Sequence, residues 1–234
     1  MLAYGKNVLL MTDPRKIKKV YLNKNRHDEE VINYLKNNKI HYLLTDINTL
    51  NKMSKQNHQG IILDIEEFSY QTIDTIENDD FIVMLDHLED PHNFGAIIRT
   101  CEAAGVRSII IPKDRSVSVN DTVIKTSVGT TNSVNIIRVT NLNNTIKDLQ
   151  RKGYFVYGTD MNGKDLRCCD FSGKKVLIIG NEGKGMSDLT RKNCDEMLKI
   201  PMLGKVNSLN ASVAAGILIF KMGGLSWMMK MMNS

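Results

Sequence analysis

Six short runs of apolar, largely β-branched residues recur from residue 81 onward, and they constrain the fold more than any other feature of the chain. They are Phe81–Leu85, Ser108–Ile111, Val134–Val139, Tyr154–Tyr157, Val176–Ile179 and Met197–Ile200. A strand with one wet face alternates apolar and polar residues, whereas a strand covered on both faces does not. Runs of this kind therefore predict a sheet buried on both sides. The stretches between them read as helices over Gly95–Ala104, Asp121–Ser127, Leu142–Lys152, Asp188–Cys194 and Leu209–Met222. Strands alternating with helices argue for the α/β class, a parallel sheet with helices on both faces. Gly223-Gly224 is expected to end the last helix. No internal repeat is visible.

The first 65 residues alternate on a smaller scale. A short helix over Gly5–Met11 stops at Asp13-Pro14, and Lys18–Leu22, Ile40–Leu44 and Gly60–Ile65 read as strands. Asp28–Asn38 places Val31, Tyr34 and Leu35 at helical spacing, and Thr45-Asp46 caps a helix running to Met53. This predicts a small α/β domain over 1–65. The following EEFSYQTIDTIENDD, residues 66–80, is expected to be an acidic linker with a short helix around Ile73 and Ile76, and 81–234 the second domain.

Composition narrows the classes of function. The chain has 234 residues, 42% of them hydrophobic, enough for two packed cores and too many for a disordered chain. With 16 glycines and 4 prolines it is not collagen-like. No run of about 18 apolar residues predicts a membrane span, and the start lacks the pattern of a secretory signal. Cys101, Cys168, Cys169 and Cys194 form neither a CxxC pair nor a spaced metal set, so a reducing, cytoplasmic setting is expected. Residues 1–60 carry 11 Lys/Arg against 5 Asp/Glu, and residues 61–80 carry 7 Asp/Glu and no Lys/Arg. Residues 81–234 carry 20 basic and 14 acidic residues. Two basic bodies flanking an acidic strip suit a polyanionic partner such as RNA.

Ligands of open parallel sheets bind beyond the carboxyl ends of the strands, and three loops there are rich in small and polar residues. The first is DHLEDPHNFGAIIR, residues 86–99, in which Asn93 is expected to cap a helix opened by Gly95, with Arg99 one turn inside on an apolar stretch. An arginine placed there meets an anion or stays in water. His87 and His92, irregularly spaced among carboxylates, read as a solvated loop and not a metal site. The second loop, IIGNEGKGMS at residues 178–187, is glycine-rich. It fails the P-loop template, because Met186 follows Gly185, and the dinucleotide fingerprint, because Asp188 stands at the third glycine position. Its Glu182 projects between glycines. The third, IPMLGKVNSLNASVAA at residues 200–215, presents Ser208 and Asn210 before a helix of small residues that another backbone can approach closely.

Together and in this order, NFGAIIRTCEAAG, GNEGKGMS and IPMLGKVNSLNASVAA resemble the three motifs of the SpoU/TrmH family of RNA ribose 2′-O-methyltransferases, within the SPOUT superfamily. The resemblance covers residues 81–222. Residues 1–65, with YGKNVLL and His58-Gln59-Gly60, are similar to the L30e-like RNA-binding domain of two-domain members, such as those acting on a guanosine ribose of 23S rRNA. The resemblance implies a C-terminal trefoil knot, S-adenosylmethionine as the methyl donor, an active site assembled in a homodimer, and no metal. It implies catalytic roles for Asn93, Arg99, Glu182, Ser208 and Asn210. Cofactor contacts are implied at Gly180, Gly185, Ile200, Met202 and Leu209, and at Thr130 in SVGTTNS. Two departures stand out. Asn181 occupies a place where relatives carry a smaller residue, and the tail GGLSWMMKMMNS is apolar and Met-rich where relatives end in charged residues.

Overall fold

The computed structural model describes residues 1–26, 28–76 and 79–232, with side chains described as far as Gly223. In chain order the first elements are β1 (Leu2–Tyr4), α1 (Lys6–Met11), β2 (Ile17–Asn23), α2 (Glu29–Asn37), β3 (Tyr42–Thr45), α3 (Ile47–Met53) and β4 (Ile61–Ile65). They are followed by β5 (Phe81–Asp86), α4 (Pro91–Ala103), β6 (Ser108–Pro112), α5 (Asp121–Thr126), β7 (Asn135–Val139), α6 (Leu142–Arg151) and β8 (Phe155–Asp165). The last are β9 (Lys175–Gly180), α7 (Asp188–Lys192), β10 (Glu196–Lys199) and α8 (Ala211–Met232). The chain divides into two compact units, Met1–Ser69 with Val119–Asn132, and Tyr70–Ser118 with Ser133–Ser234.

The first unit is a four-stranded sheet of order β1-β4-β2-β3, in which β4 runs antiparallel to β1 and β2, and β3 parallel to β2. Its helices start where short polar side chains satisfy free backbone N–H groups: Asp28 accepts from Val31 N and Asp46 from Thr49 N. Leu9, Leu22, Leu35, Leu50 and Ile62 are fully buried. Strand β1 has no signal in the sequence, because three residues are too few to display a period. The segment Val119–Asn132 also belongs to this unit, although its position in the chain suggests the second domain. Asn120 caps α5, which buries Val123 and Ile124. Tyr4 Oη donates to Asp121 Oδ2 at 3.5 Å, and Lys16 Nζ to Asn132 Oδ1 at 3.1 Å.

The second unit is a six-stranded sheet of order β10-β8-β9-β5-β6-β7 in which every pair is parallel. Ile82, Val83, Met84 and Leu85 of the central β5 are all fully buried. Successive strand residues face opposite sides, so both faces are covered. One face packs Ile82, Met84, Ile110, Val156 and Ile178 against Leu142, Ile146 and Leu149 of α6. Helices α4 and α8 pack on each other.

Four local expectations are corrected. Helix α4 begins at Pro91, not Gly95, and Asp90 caps it by accepting from His92 N at 2.9 Å. A proline at the first helical position has its φ preset and lacks an N–H to satisfy, so Asn93 lies inside the first turn. Helix α8 continues through Gly223-Gly224 to Met232. Each helical glycine costs only about 1 kcal/mol, and the strong helix formers on either side outweigh that. Strand β8 extends well beyond Tyr157, its later polar residues pairing with β10. The acidic stretch is not a free connector after Ser69. Gln71 N donates to Ile136 O at 2.9 Å, Ile76 is buried, and Tyr154 Oη donates to Asp79 O. Glu77, Asn78, and the side chains of the Met-rich tail lie outside the described residues. Among the described residues no helix is long and apolar enough to cross a membrane.

Candidate active site

The parallel register of β5 and β9 aligns Leu85 with Ile179 and Asp86 with Gly180, so the first and second loops leave the sheet side by side. Asp86 is buried and joins them. Its Oδ1 lies 2.5 Å from His87 Nδ1, and its Oδ2 accepts from Ser187 N at 2.8 Å. Asn181 makes a second link. Its Nδ2 donates to His87 O at 2.8 Å, while its Oδ1 accepts from Gly183 N at 2.9 Å and Lys184 N at 3.2 Å. The strand-end bridge between Asn181 and Gly185 closes the turn, and Gly185 takes a φ of 67°. A Cβ on Gly180 would lie 2.5 Å from Gly185 C and 2.6 Å from Met186 N, so only glycine fits there without moving backbone. Neither Asp86 nor Asn181 is marked out by the motifs themselves. The available signals were a carboxylate at the end of an apolar strand and an asparagine leading a glycine-rich turn.

These links hold two of the expected catalytic side chains together. Asn93, buried in the first turn of α4, donates from Nδ2 to Glu182 Oε1 at 3.0 Å. The asparagine therefore orients Glu182. Arg99 is exposed on α4, between buried Ile98 and half-buried Thr100, and makes no ion pair with Glu182.

The third loop leaves the end of β10. Ile200, Pro201 and Met202 are half-buried, and residues 203–210 are exposed, with Leu203 97% accessible. Among the described residues, none from Met202 to Leu209 forms a hydrogen bond or ion pair. Asn210 Oδ1 caps α8 by accepting from Ser212 N at 2.9 Å, which occupies its acceptor. Ser208 and Leu209 stand free beside it. Thr130 is not among the groups the second unit gathers. It belongs to the first unit, where its hydroxyl donates to Ser127 O at 2.7 Å. No cluster of three metal-ligating side chains occurs among the described residues.

Known proteins share this sequence and architecture. Residues 80–220 match the model of the SpoU rRNA methylase family, and residues 2–71 match the RNA 2′-O ribose methyltransferase substrate-binding model. A putative TrmH family tRNA/rRNA methyltransferase, YacO, of Bacillus subtilis is 37% identical, over 93% of this chain and 92% of its own. The 23S rRNA (guanosine-2′-O-)-methyltransferase RlmB of Ralstonia nicotianae is 39% identical, over 91% and 89%. Among solved structures, the AdoMet-bound rRNA methyltransferase from Sinorhizobium meliloti has a TM-score of 0.78 and 26% identity, over 94% of this chain and 85% of that one. The SpoU methyltransferase AviRb of Streptomyces viridochromogenes shares the fold, with a TM-score of 0.81 at 22% identity over 97% and 90%. Joined loops at the ends of a parallel sheet, a family model spanning most of that sheet's unit, and relatives matched almost end to end lead to one conclusion: the chain belongs to the SpoU rRNA methylase family.

Proposed function

We propose that this protein transfers the methyl group of S-adenosylmethionine to a ribose 2′-hydroxyl of RNA, a guanosine of 23S rRNA. Near-full-length similarity to 23S rRNA guanosine-2′-O-methyltransferases supports the reaction and its substrate. The observation in the molecule that carries the reading is the Asn93–Glu182 bond, which fixes an acidic side chain at the ends of two neighbouring strands, while the third loop, leaving β10, is free of internal bonds. That third loop suits the donor: its backbone amides are available to the edge of an adenine, and Leu209 and Met202 offer apolar contact to its faces.

Bound S-adenosylmethionine supplies a methyl group on a sulfonium, whose departure leaves a neutral thioether. The protein's remaining task is to position the ribose oxygen and to favour loss of its proton. A guanidinium is a poor base, because it gives up its proton only at very high pH. That of Arg99 stabilises the negative charge that develops on the 2′-oxygen and grips a neighbouring phosphate. Glu182, held by Asn93, anchors the nucleotide, and Ser208 and Asn210 complete the polar wall. Backbone at Gly180, Gly185, Ile200, Met202 and Leu209 cradles the donor.

The same reading includes a trefoil knot at the C-terminal end of the second unit, an L30e-like first unit, and a homodimer in the cytoplasm. Val213, Ile217 and Phe220 support the dimer. They are 50%, 40% and 46% exposed and recur at helical spacing along α8, a stripe that a second copy can cover. Nucleoside mass spectrometry of rRNA and tRNA from a strain lacking the gene tests the substrate. Loss of one 2′-O-methylguanosine from 23S rRNA is expected, and loss of a ribose methyl from tRNA alone would move the assignment to tRNA.

A further inference from the structure

Methyl transfer to a ribose 2′-hydroxyl requires that the hydroxyl lose its proton, and a guanidinium is a poor acceptor for it. We infer that His87, backed by the buried carboxylate of Asp86, is the catalytic base that takes this proton on Nε2. The inference rests on the reaction proposed above and adds to it a residue that precedes the first of the three sequence motifs.

Asp86 ends β5, and a carboxylate as buried as this one needs donors on its oxygens. It has two: Ser187 N donates to Oδ2 at 2.8 Å, and His87 Nδ1 lies 2.5 Å from Oδ1. A carboxylate only accepts, so the proton of the second bond belongs to Nδ1, and in the neutral ring the lone pair is on Nε2. Nε2 makes no bond to the protein among the described residues, and the side chain is 36% exposed. One ring nitrogen is thus fixed by a buried carboxylate and the other is unbonded, on a side chain that exchanges protons near neutral pH. The backbone of His87 is unusual as well. Its φ of 57° lies in the left-handed region, uncommon outside glycine. Such a conformation persists where neighbours hold it, and it gathers at functional sites. The hold here is Asn181, whose Nδ2 donates to His87 O at 2.8 Å and whose Oδ1 shapes the turn that carries Glu182. The histidine is therefore tied to the strand ends where Asn93 holds Glu182. Two nearby carboxylates are partly committed, Glu182 Oε1 to Asn93 and Asp90 Oδ1 to the cap of α4.

The step balances. The O–H bond of the 2′-hydroxyl breaks and its proton passes to Nε2. An electron pair of that oxygen forms the bond to the methyl carbon. The carbon–sulfur bond of the donor breaks, and its pair stays on sulfur as the neutral thioether. The imidazolium, opposite the Asp86 carboxylate across Nδ1, returns its proton to water. Arg99 keeps the electrostatic role given above, so proton removal and charge stabilisation fall to different residues.

The test uses His87→Gly in the full chain, because glycine takes the same φ without strain. Single-turnover methylation of 23S rRNA from a strain lacking the gene is followed with saturating S-adenosylmethionine. The rate should fall about a hundredfold, the low end of the ~10²–10⁴ that proton transfer by a placed side chain contributes. Donor affinity, measured by calorimetry, should stay within about twofold. Added imidazole should restore about a tenth or more of the wild-type rate in His87→Gly and leave the wild type unaffected. Across substituted imidazoles the restored rate should rise with basicity, a dependence that a merely structural role would not produce. A variant that transfers methyl at the wild-type rate, or one that no imidazole restores, overturns the inference while the proposed function stands. Wild-type protein that forms no 2′-O-methylated nucleoside would overturn that function, and this inference with it.

Discussion

Asn181 commits its whole side-chain amide to the loop around it, one end to His87 O and the other to Gly183 N and Lys184 N. The sequence marks it only as a departure from its relatives. What the residue does depends on a strand neighbour 94 positions away, which no local pattern encodes. Asn93 and Glu182 stand 89 positions apart in separate motifs, and that one donates to the other needed coordinates. Asp28 offers a residue-scale prediction. The Arg26 guanidinium, helped by Lys6 and by Val31 N–H, holds its carboxyl down at about 2, below the ordinary value of ~4. As pH falls, the unfolded chain takes up this proton first. The cluster's stabilisation is therefore complete above about pH 4 and lost as pH falls toward 2. Melting temperature should drop over that window in the wild type and less steeply in Asp28→Asn. Equal slopes would remove the cluster from the account.

At the scale of elements, continuous apolar runs announced every strand of the central sheet, because full burial demands apolar residues on both faces. Signals failed where burial was not the cause. Strand β1 is too short to show a period, the later half of β8 is polar, and α8 passes two glycines that a local rule treats as a stop. The close approach of Gly180 to the Gly185–Met186 backbone belongs to this scale, since it welds the end of β9 to the turn that carries Glu182. Gly180→Ala forces backbone to move, and overpacking of this kind costs about 1–3 kcal/mol. Titration calorimetry should show S-adenosylmethionine affinity lowered at least tenfold, with a lower melting temperature. Unaltered affinity would show that this turn does not shape the donor's cradle.

For the whole molecule, the assignment of Val119–Asn132 to the first unit has no signal in the sequence. Val123 and Ile124 read equally well as core of either unit; only the tertiary contacts of β1 decide. A chain beginning near Asp80 removes their cover. It should aggregate or lose the α5 helix, and replacing both residues by polar ones should restore solubility. A soluble, fully helical truncated chain without those replacements would contradict the assignment. The stripe on α8 makes a second prediction. Light scattering should give twice the 26.4 kDa of the chain. Phe220→Lys with Ile217→Lys should give a monomer with little methyl transfer. A wild-type monomer with full activity would exclude a site that needs two copies.

The measurement that bears most directly on the central claim combines transfer and binding on the same preparations. Purified protein is incubated with methyl-labelled S-adenosylmethionine and 23S rRNA from a strain lacking the gene, and the digested nucleosides are identified by mass spectrometry. Arg99→Ala is carried in parallel, with donor affinity measured by calorimetry. The account predicts label on the ribose of a guanosine for the wild type. For Arg99→Ala it predicts at least a hundredfold less transfer with donor affinity within about twofold, since Arg99 serves the 2′-oxygen, and a loss of that size is typical of removing an electrostatic stabiliser. Label on a base, or Arg99→Ala losing donor binding as fully as it loses transfer, would contradict it.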